Sequence, residues 1–197
     1  MVILVTILSV ILMIMYFIDL RKEKFNIRTM VITAMFSAIS FVLYLIQFIK
    51  YPQGGGISLF SMLPVMLLSI LYGRRVGLTG GMIFGLLKLL NGATVVHPAQ
   101  FLLDYVLSTM ALGLAGTFGS SKKLNLIGGC LLAVSLSVFV NIVSGAVFFG
   151  QYAPEGMNVW LYSFVYNISS SGVEGLLTVG LMAVLPIKRF SKIAKPV

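Results

Sequence analysis

The 197-residue chain is 59% hydrophobic and only 10% charged, with a mean hydropathy of +1.06, which excludes a water-soluble domain of this length. Its 14 Lys+Arg against 5 Asp+Glu leave a net charge of +9, yet the basic residues sit in short clusters between apolar runs, the pattern of membrane topology rather than of nucleic-acid binding. At roughly 20 residues per span the chain holds about seven helices, with no room for an aqueous nucleotide-binding or catalytic module.

Uncharged stretches in chain order predict helices at 1–20, 29–49, 57–73, 76–90, 98–119, 124–150 and 160–186. The first has no basic leader and no small-residue cleavage site before Asp19 and the Arg21-Lys22-Glu23-Lys24 block, so it is expected to be a retained anchor rather than a signal peptide. Spans 57–73 and 76–90 are short, one carrying Pro64 and the other rich in glycine, and must pack against protein rather than lipid. Gly77, Gly81 and Gly85 repeat every four residues, as do Ala111 and Ala115, and Ala34 and Ala38. Such small-residue stripes let helix backbones approach closely. Cys130, the single cysteine, excludes an intrachain disulfide and reads as a packing residue.

Orientation follows from the basic residues. Arg21, Lys22, Lys24, Arg28, Arg74, Arg75, Lys122, Lys123, Lys188, Arg189, Lys192 and Lys195 fall on one side of the alternating spans, which places that side and the C-terminus in the cytoplasm. Lys50 and Lys88 fall on the opposite side, with the outer loops 50–56, 91–97 and 151–159.

A carboxylate within a span costs several kcal/mol and demands a partner or a cavity. Asp104 and Glu174 both qualify. Asp104 lies about 9 Å below the outer end of its helix and Glu174 about 21 Å down the last one, at 1.5 Å per residue. Asn141 and Asn167 fall near the depth of Asp104, among Tyr105, Phe148, Phe149, Tyr152, Trp160, Tyr162 and Tyr166. An anion walled by aromatic rings suits a small, flat organic cation. Tyr152 and Trp160 equally fit an interfacial aromatic belt, and Glu174 fits a structural role between helices better than a functional one. His97, without a second histidine, reads as a cap or loop residue before Pro98, and no metal site is expected. Gly54-Gly55-Gly56 has no P-loop lysine behind it, so no phosphate cradle and no cofactor are expected. No basic residue is expected in the pocket, which argues against a phosphorylated ligand.

Three segments carry a family resemblance: PQGGGISLFSMLPVMLLSILYGRRVGLTGGMIFGLL at 52–87, HPAQFLLDYVLSTMALGLAG at 97–116 and SGAVFFGQYAPEGMNVWLYSFVYN at 144–167. Together they resemble the thiamine-specific substrate-binding (S) component of energy-coupling factor (ECF) transporters. The resemblance implies an all-α integral membrane protein, with a six-helix S-component bundle at 26–197 and an additional N-terminal helix with a basic linker at 1–25. It implies capture of thiamine from outside and docking, through Ala34 and Ala38, with a membrane scaffold subunit and two ATP-binding subunits. It also implies that Asp104, Tyr105, Tyr162 and Asn167 line the vitamin pocket. Asn141 stands where the family pattern has histidine, and Phe149 where it often has tryptophan. Substrate-binding residues are thus expected at Asp104, Tyr105, Asn141, Phe149, Tyr162 and Asn167, and no catalytic residue, since no second acid, base or nucleophile accompanies Asp104. Rival readings are a stand-alone, proton-coupled carrier of a small organic cation with Glu174 as the proton site, an S component for another small vitamin or a thiamine precursor, and a membrane chaperone or intramembrane enzyme.

Overall fold

A computed structural model describes residues 1–21, 25–51, 55–92 and 94–194. The expectations for Lys22, Lys24 and Lys195, and for the tip of loop 50–56, fall outside those residues. The unbroken apolar run Val2–Leu20 forms α1, and Ile27–Leu45 forms α2, opened by Asn26, whose Oδ1 accepts from the Thr29 N–H at 2.7 Å. The expected helices 29–49 and 57–73 are both corrected here. The chain leaves α2 at Ile46, and Gln47–Lys50 (β1) pairs antiparallel with Gly56–Ser58 (β2), Lys50 opposite Gly56. Pro and the glycines around 52–56 do not sustain a helix, and strand pairing satisfies the backbone groups that each helix end would have left open.

Helix α3 (Leu63–Tyr72) carries Pro64 in its first turn, where a missing N–H costs little. Gly73, at φ +97°, makes the sharp turn into α4 (Arg74–Lys88). Helix α5 covers 98–114 and changes pitch along its length: an α-helical turn at Pro98–Phe101, π-helix at Leu102–Leu107, α-helix at Ser108–Ala111 and 3₁₀ at Leu112–Leu114. Lys123–Phe148 forms α6. Val159–Val184 forms α7, with a π-helical stretch at Ile168–Gly172, and Ile187–Ile193 forms α8, bent by 74° from it after Pro186. Among the described residues α1, α2 and α6 are long and apolar enough to cross a membrane, as is the α7–α8 pair if taken together.

The 10-residue α3 and 15-residue α4 fall short of the roughly 20 residues of a span, and, as expected, they are enclosed by protein. Val65, Met66 and Leu68 of α3 are fully buried, with Phe84 of α4 close behind. The glycine stripe of α4 lies against α5 backbone to backbone: a methyl group on Gly81 would meet the Thr109 carbonyl, and one on Gly85 would overlap the Tyr105 carbonyl. Cys130 is buried in the core beside Ala133 and Leu126. Helix α1 docks on the α4–α5 face. Tyr16 packs on Val106 and Met110, its hydroxyl 2.7 Å from Thr79 Oγ1, and Arg75 grips the Asp19 carboxylate through Nε at 2.9 Å and Nη2 at 3.0 Å.

Glu174, in α7, fastens the hairpin to the bundle. Its carboxylate accepts from the N–H and hydroxyl of Ser58 (both 2.8 Å) and from the N–H and hydroxyl of Ser61 (2.9 and 2.7 Å), with the side chain 4% exposed. A buried carboxylate held by four donors is a structural clamp. Glu174→Ala strands two backbone N–H groups and is expected to cost about 2 kcal/mol or more, read as a lower unfolding temperature of the detergent-solubilised protein.

Candidate functional site

The π-helical turn of α5 carries Asp104 and Tyr105, and that of α7 follows directly on Asn167. Widened turns of this kind displace side chains from the regular helical register and recur at functional sites. Between these segments lies a cavity of about 300 Å³. Its walls come from Tyr44 of α2, Gln47 and Lys50 of β1, Tyr51 and Gly55, Lys88 of α4, Gln100, Asp104 and Tyr105 of α5, Asn141, Gly145 and Phe149 at the end of α6, and Tyr162, Tyr166 and Asn167 of α7. All six residues expected in the pocket, Asp104, Tyr105, Asn141, Phe149, Tyr162 and Asn167, therefore line one cavity. Phe148 and Trp160 do not. Phe148 stacks on His97 with ring centroids 5.2 Å apart, and Trp160 is 43% exposed.

Asp104 is oriented by Gln100, one turn earlier, whose Nε2 donates to its carboxylate at 2.7 Å. Gln100 also accepts from the Val96 N–H at 3.1 Å, so a 1% exposed amide ties the acid to the loop before α5. His97 caps that helix, its Nδ1 accepting from the Ala99 N–H at 3.1 Å, as its place before Pro98 suggested. The Asn167 amide of α7 reaches the backbone of α6 at a close helix contact. Asn167 Nδ2 donates to the Ser163 carbonyl at 2.9 Å and the Asn141 carbonyl at 3.4 Å, and Ser163 Oγ donates to the Ile142 carbonyl at 2.7 Å. A methyl group on Gly145 would collide with the Ser163 hydroxyl.

The mouth is bounded by the arms of the hairpin. The Tyr51 hydroxyl donates to the Ser169 carbonyl at 3.2 Å, and Tyr166 Oη accepts from the Gly55 N–H at 3.0 Å. The Tyr51 and Tyr166 rings meet edge to face at 5.3 Å, with Tyr162 6.0 Å beyond. Tyr44, Gln100 and Lys88 were not expected here. Gln100 carried a readable signal, the i, i+4 spacing to Asp104. The expectation that no basic residue enters the pocket is corrected: Lys50 stands at its exposed rim and Lys88 lines its interior. Glu174 is not among the lining residues, and among the described residues no group of three or more His, Cys, Asp or Glu could hold a metal ion. An acid, two amides and a wall of tyrosines provide recognition groups for a small flat ligand.

A profile of the family described as "Thiamine transporter protein (Thia_YuaJ)" matches residues 30–194. The chain is similar to "Thiamine transporter ThiT" of Bacillus subtilis (strain 168), 36% identical over 149 residues, 68% of this chain and 77% of that protein. It is also similar to "Thiamine transporter ThiT" of Lacticaseibacillus paracasei, 30% identical over 142 residues, 64% and 71% of the two chains. Among solved structures, ThiT from Listeria monocytogenes superposes with a TM-score of 0.74 at 25% identity, covering 87% of this chain and 100% of that one. The S component of a bacterial ECF transporter superposes at 0.57 with 20% identity, covering 86% and 98%. The expected all-α membrane bundle is thus the fold of these proteins, and the hairpin is the addition that the sequence did not disclose.

Proposed function

The chain belongs to the thiamine transporter protein family, and on that premise we propose that it is the substrate-capture subunit of an ATP-driven ECF importer, taking up thiamine or a close analogue from the outer face. The observation that carries this reading is the Asp104 carboxylate, oriented by Gln100, within a 300 Å³ cavity walled by tyrosines. In it Asp104 balances the cationic ring, Tyr105, Phe149 and Tyr162 stack against the flat rings of the ligand, and Asn141 and Asn167 supply hydrogen-bonding edges.

The chain is a multi-pass membrane protein and a transporter subunit, not an enzyme. In the proposed arrangement the C-terminus faces the cytoplasm, residues 26–197 form the six-helix unit, and residues 1–25 add an anchoring helix and basic linker. Ala34 and Ala38, both exposed on α2, offer the face on which a membrane scaffold subunit docks. Two ATP-binding subunits complete the module and power release inward.

Vesicle reconstitution tests the reading. The chain alone is expected to bind radiolabelled thiamine without accumulating it, and accumulation is expected only with the ECF module and ATP. Accumulation by the chain alone, driven by a pH gradient and lost in Glu174→Gln, would overturn it in favour of a proton-coupled carrier. The four donors already engaged by Glu174 weigh against that rival.

A further inference from the structure

Cation capture by Asp104 leaves one charged residue of the cavity interior, Lys88, without a role. Lys88 ends α4, and its ammonium lies 5.0 Å from the centroid of the Tyr44 ring, 5.8 Å from Tyr105 and 5.9 Å from Phe84. Three ring faces around one ammonium form a cation cage, the environment that a cationic ligand would otherwise find. The ion pair found among the described residues is Arg75–Asp19; Lys88 and Asp104 line the same cavity without closing to such contact. Asp104 and Lys88 are an acid and a base on the walls of one cavity, with Lys50 at its exposed rim.

We propose that Lys88 is a specificity-determining residue: a resident cation, held by Tyr44, Phe84 and Tyr105 opposite Asp104, that makes the pocket select its ligand by shape and hydrogen bonding more than by positive charge. The inference rests on the capture function proposed above. A cationic ligand gains from Asp104 but meets like charge from Lys88, and both interactions are strong where water is excluded. A neutral ligand of the same shape feels neither. Lys88 therefore compresses the difference between the two, and its removal leaves Asp104 as the interior charge that faces the ligand.

The test compares thiamine with a neutral isostere whose thiazolium is replaced by an uncharged thiophene ring, titrated calorimetrically into purified full-length protein. The readout is the ratio of the two dissociation constants, neutral over cationic. In Lys88→Met, close to isosteric for the stem, this ratio is expected to rise at least fivefold over the unsubstituted protein, with thiamine binding tightening. Lys88→Gln gives the same reading should the methionine variant fail to fold, and Lys88→Arg, which retains the charge, is expected to hold the ratio below that threshold. A smaller rise, no change or a fall in the charge-removing variants overturns the inference while leaving thiamine capture standing. Failure of the unsubstituted protein to bind either compound overturns the capture function, and the role of Lys88 with it.

Discussion

Asp104→Asn is expected to weaken thiamine binding by roughly 30-fold or more, about 2 kcal/mol, the lower end of the range for truncating one partner of a buried charge pair. The amide keeps the size of the side chain and a hydrogen bond with Gln100 (2.7 Å to Asp104), so the loss reports charge rather than shape. The substitution also leaves the Lys88 ammonium, caged by Tyr44 and Tyr105, without the carboxylate that shares its cavity, which adds repulsion to the lost attraction. Calorimetric titration reads the effect, and an unchanged melting temperature of the ligand-free variant separates it from misfolding. Unchanged affinity would remove Asp104 from the site.

Gly85→Leu is expected to carry a large structural penalty, since among the described glycines an added carbon here meets the nearest neighbouring atom. Its first added carbon would overlap the Tyr105 carbonyl and crowd the Thr109 hydroxyl, so α4 and α5 have to separate, at a cost of about 3 kcal/mol for overpacking. Because Tyr105 adjoins Asp104 on the same π-helical turn, the separation also displaces the pocket wall, and loss of thiamine binding is expected to accompany the lower unfolding temperature. Gly180→Leu is the matched control, since nothing lies within 4 Å of an added carbon there. Equal stability of the two variants would contradict backbone-to-backbone packing of α4 on α5.

These two residues also mark what could be read from sequence. Gly77, Gly81 and Gly85 spell a close helix approach in their spacing alone, and the short spans around Pro64 and the glycines declare that they are covered by protein. Asp104 announces itself because an acid in an apolar run has few explanations. Strands β1 and β2 were hidden because four and three residues are too few to establish a period of two beside Gly and Pro. The π-helical segments were hidden because their pitch is set by packing, with no residue pattern to mark it. Lys88 was misplaced for a geometric reason. A lysine at the end of a helix is ordinarily read as reaching the membrane surface, but the 15 residues of α4 rise only about 22 Å, less than the roughly 30 Å hydrocarbon thickness. Its end therefore falls within the protein, beside rings brought there by α2 and α5 from 44 and 17 residues away. Tyr44 was missed likewise, since only the fold carries it to the cavity shared with Tyr105.

Capture of thiamine is tested most directly by isothermal titration of thiamine into the purified, detergent-solubilised chain in the absence of any partner subunit. Saturable one-to-one binding is expected, with a dissociation constant below about 1 μM, corresponding to about −8 kcal/mol. Absence of saturable binding up to about 1 mM, where the binding free energy would be weaker than about −4 kcal/mol, would contradict it.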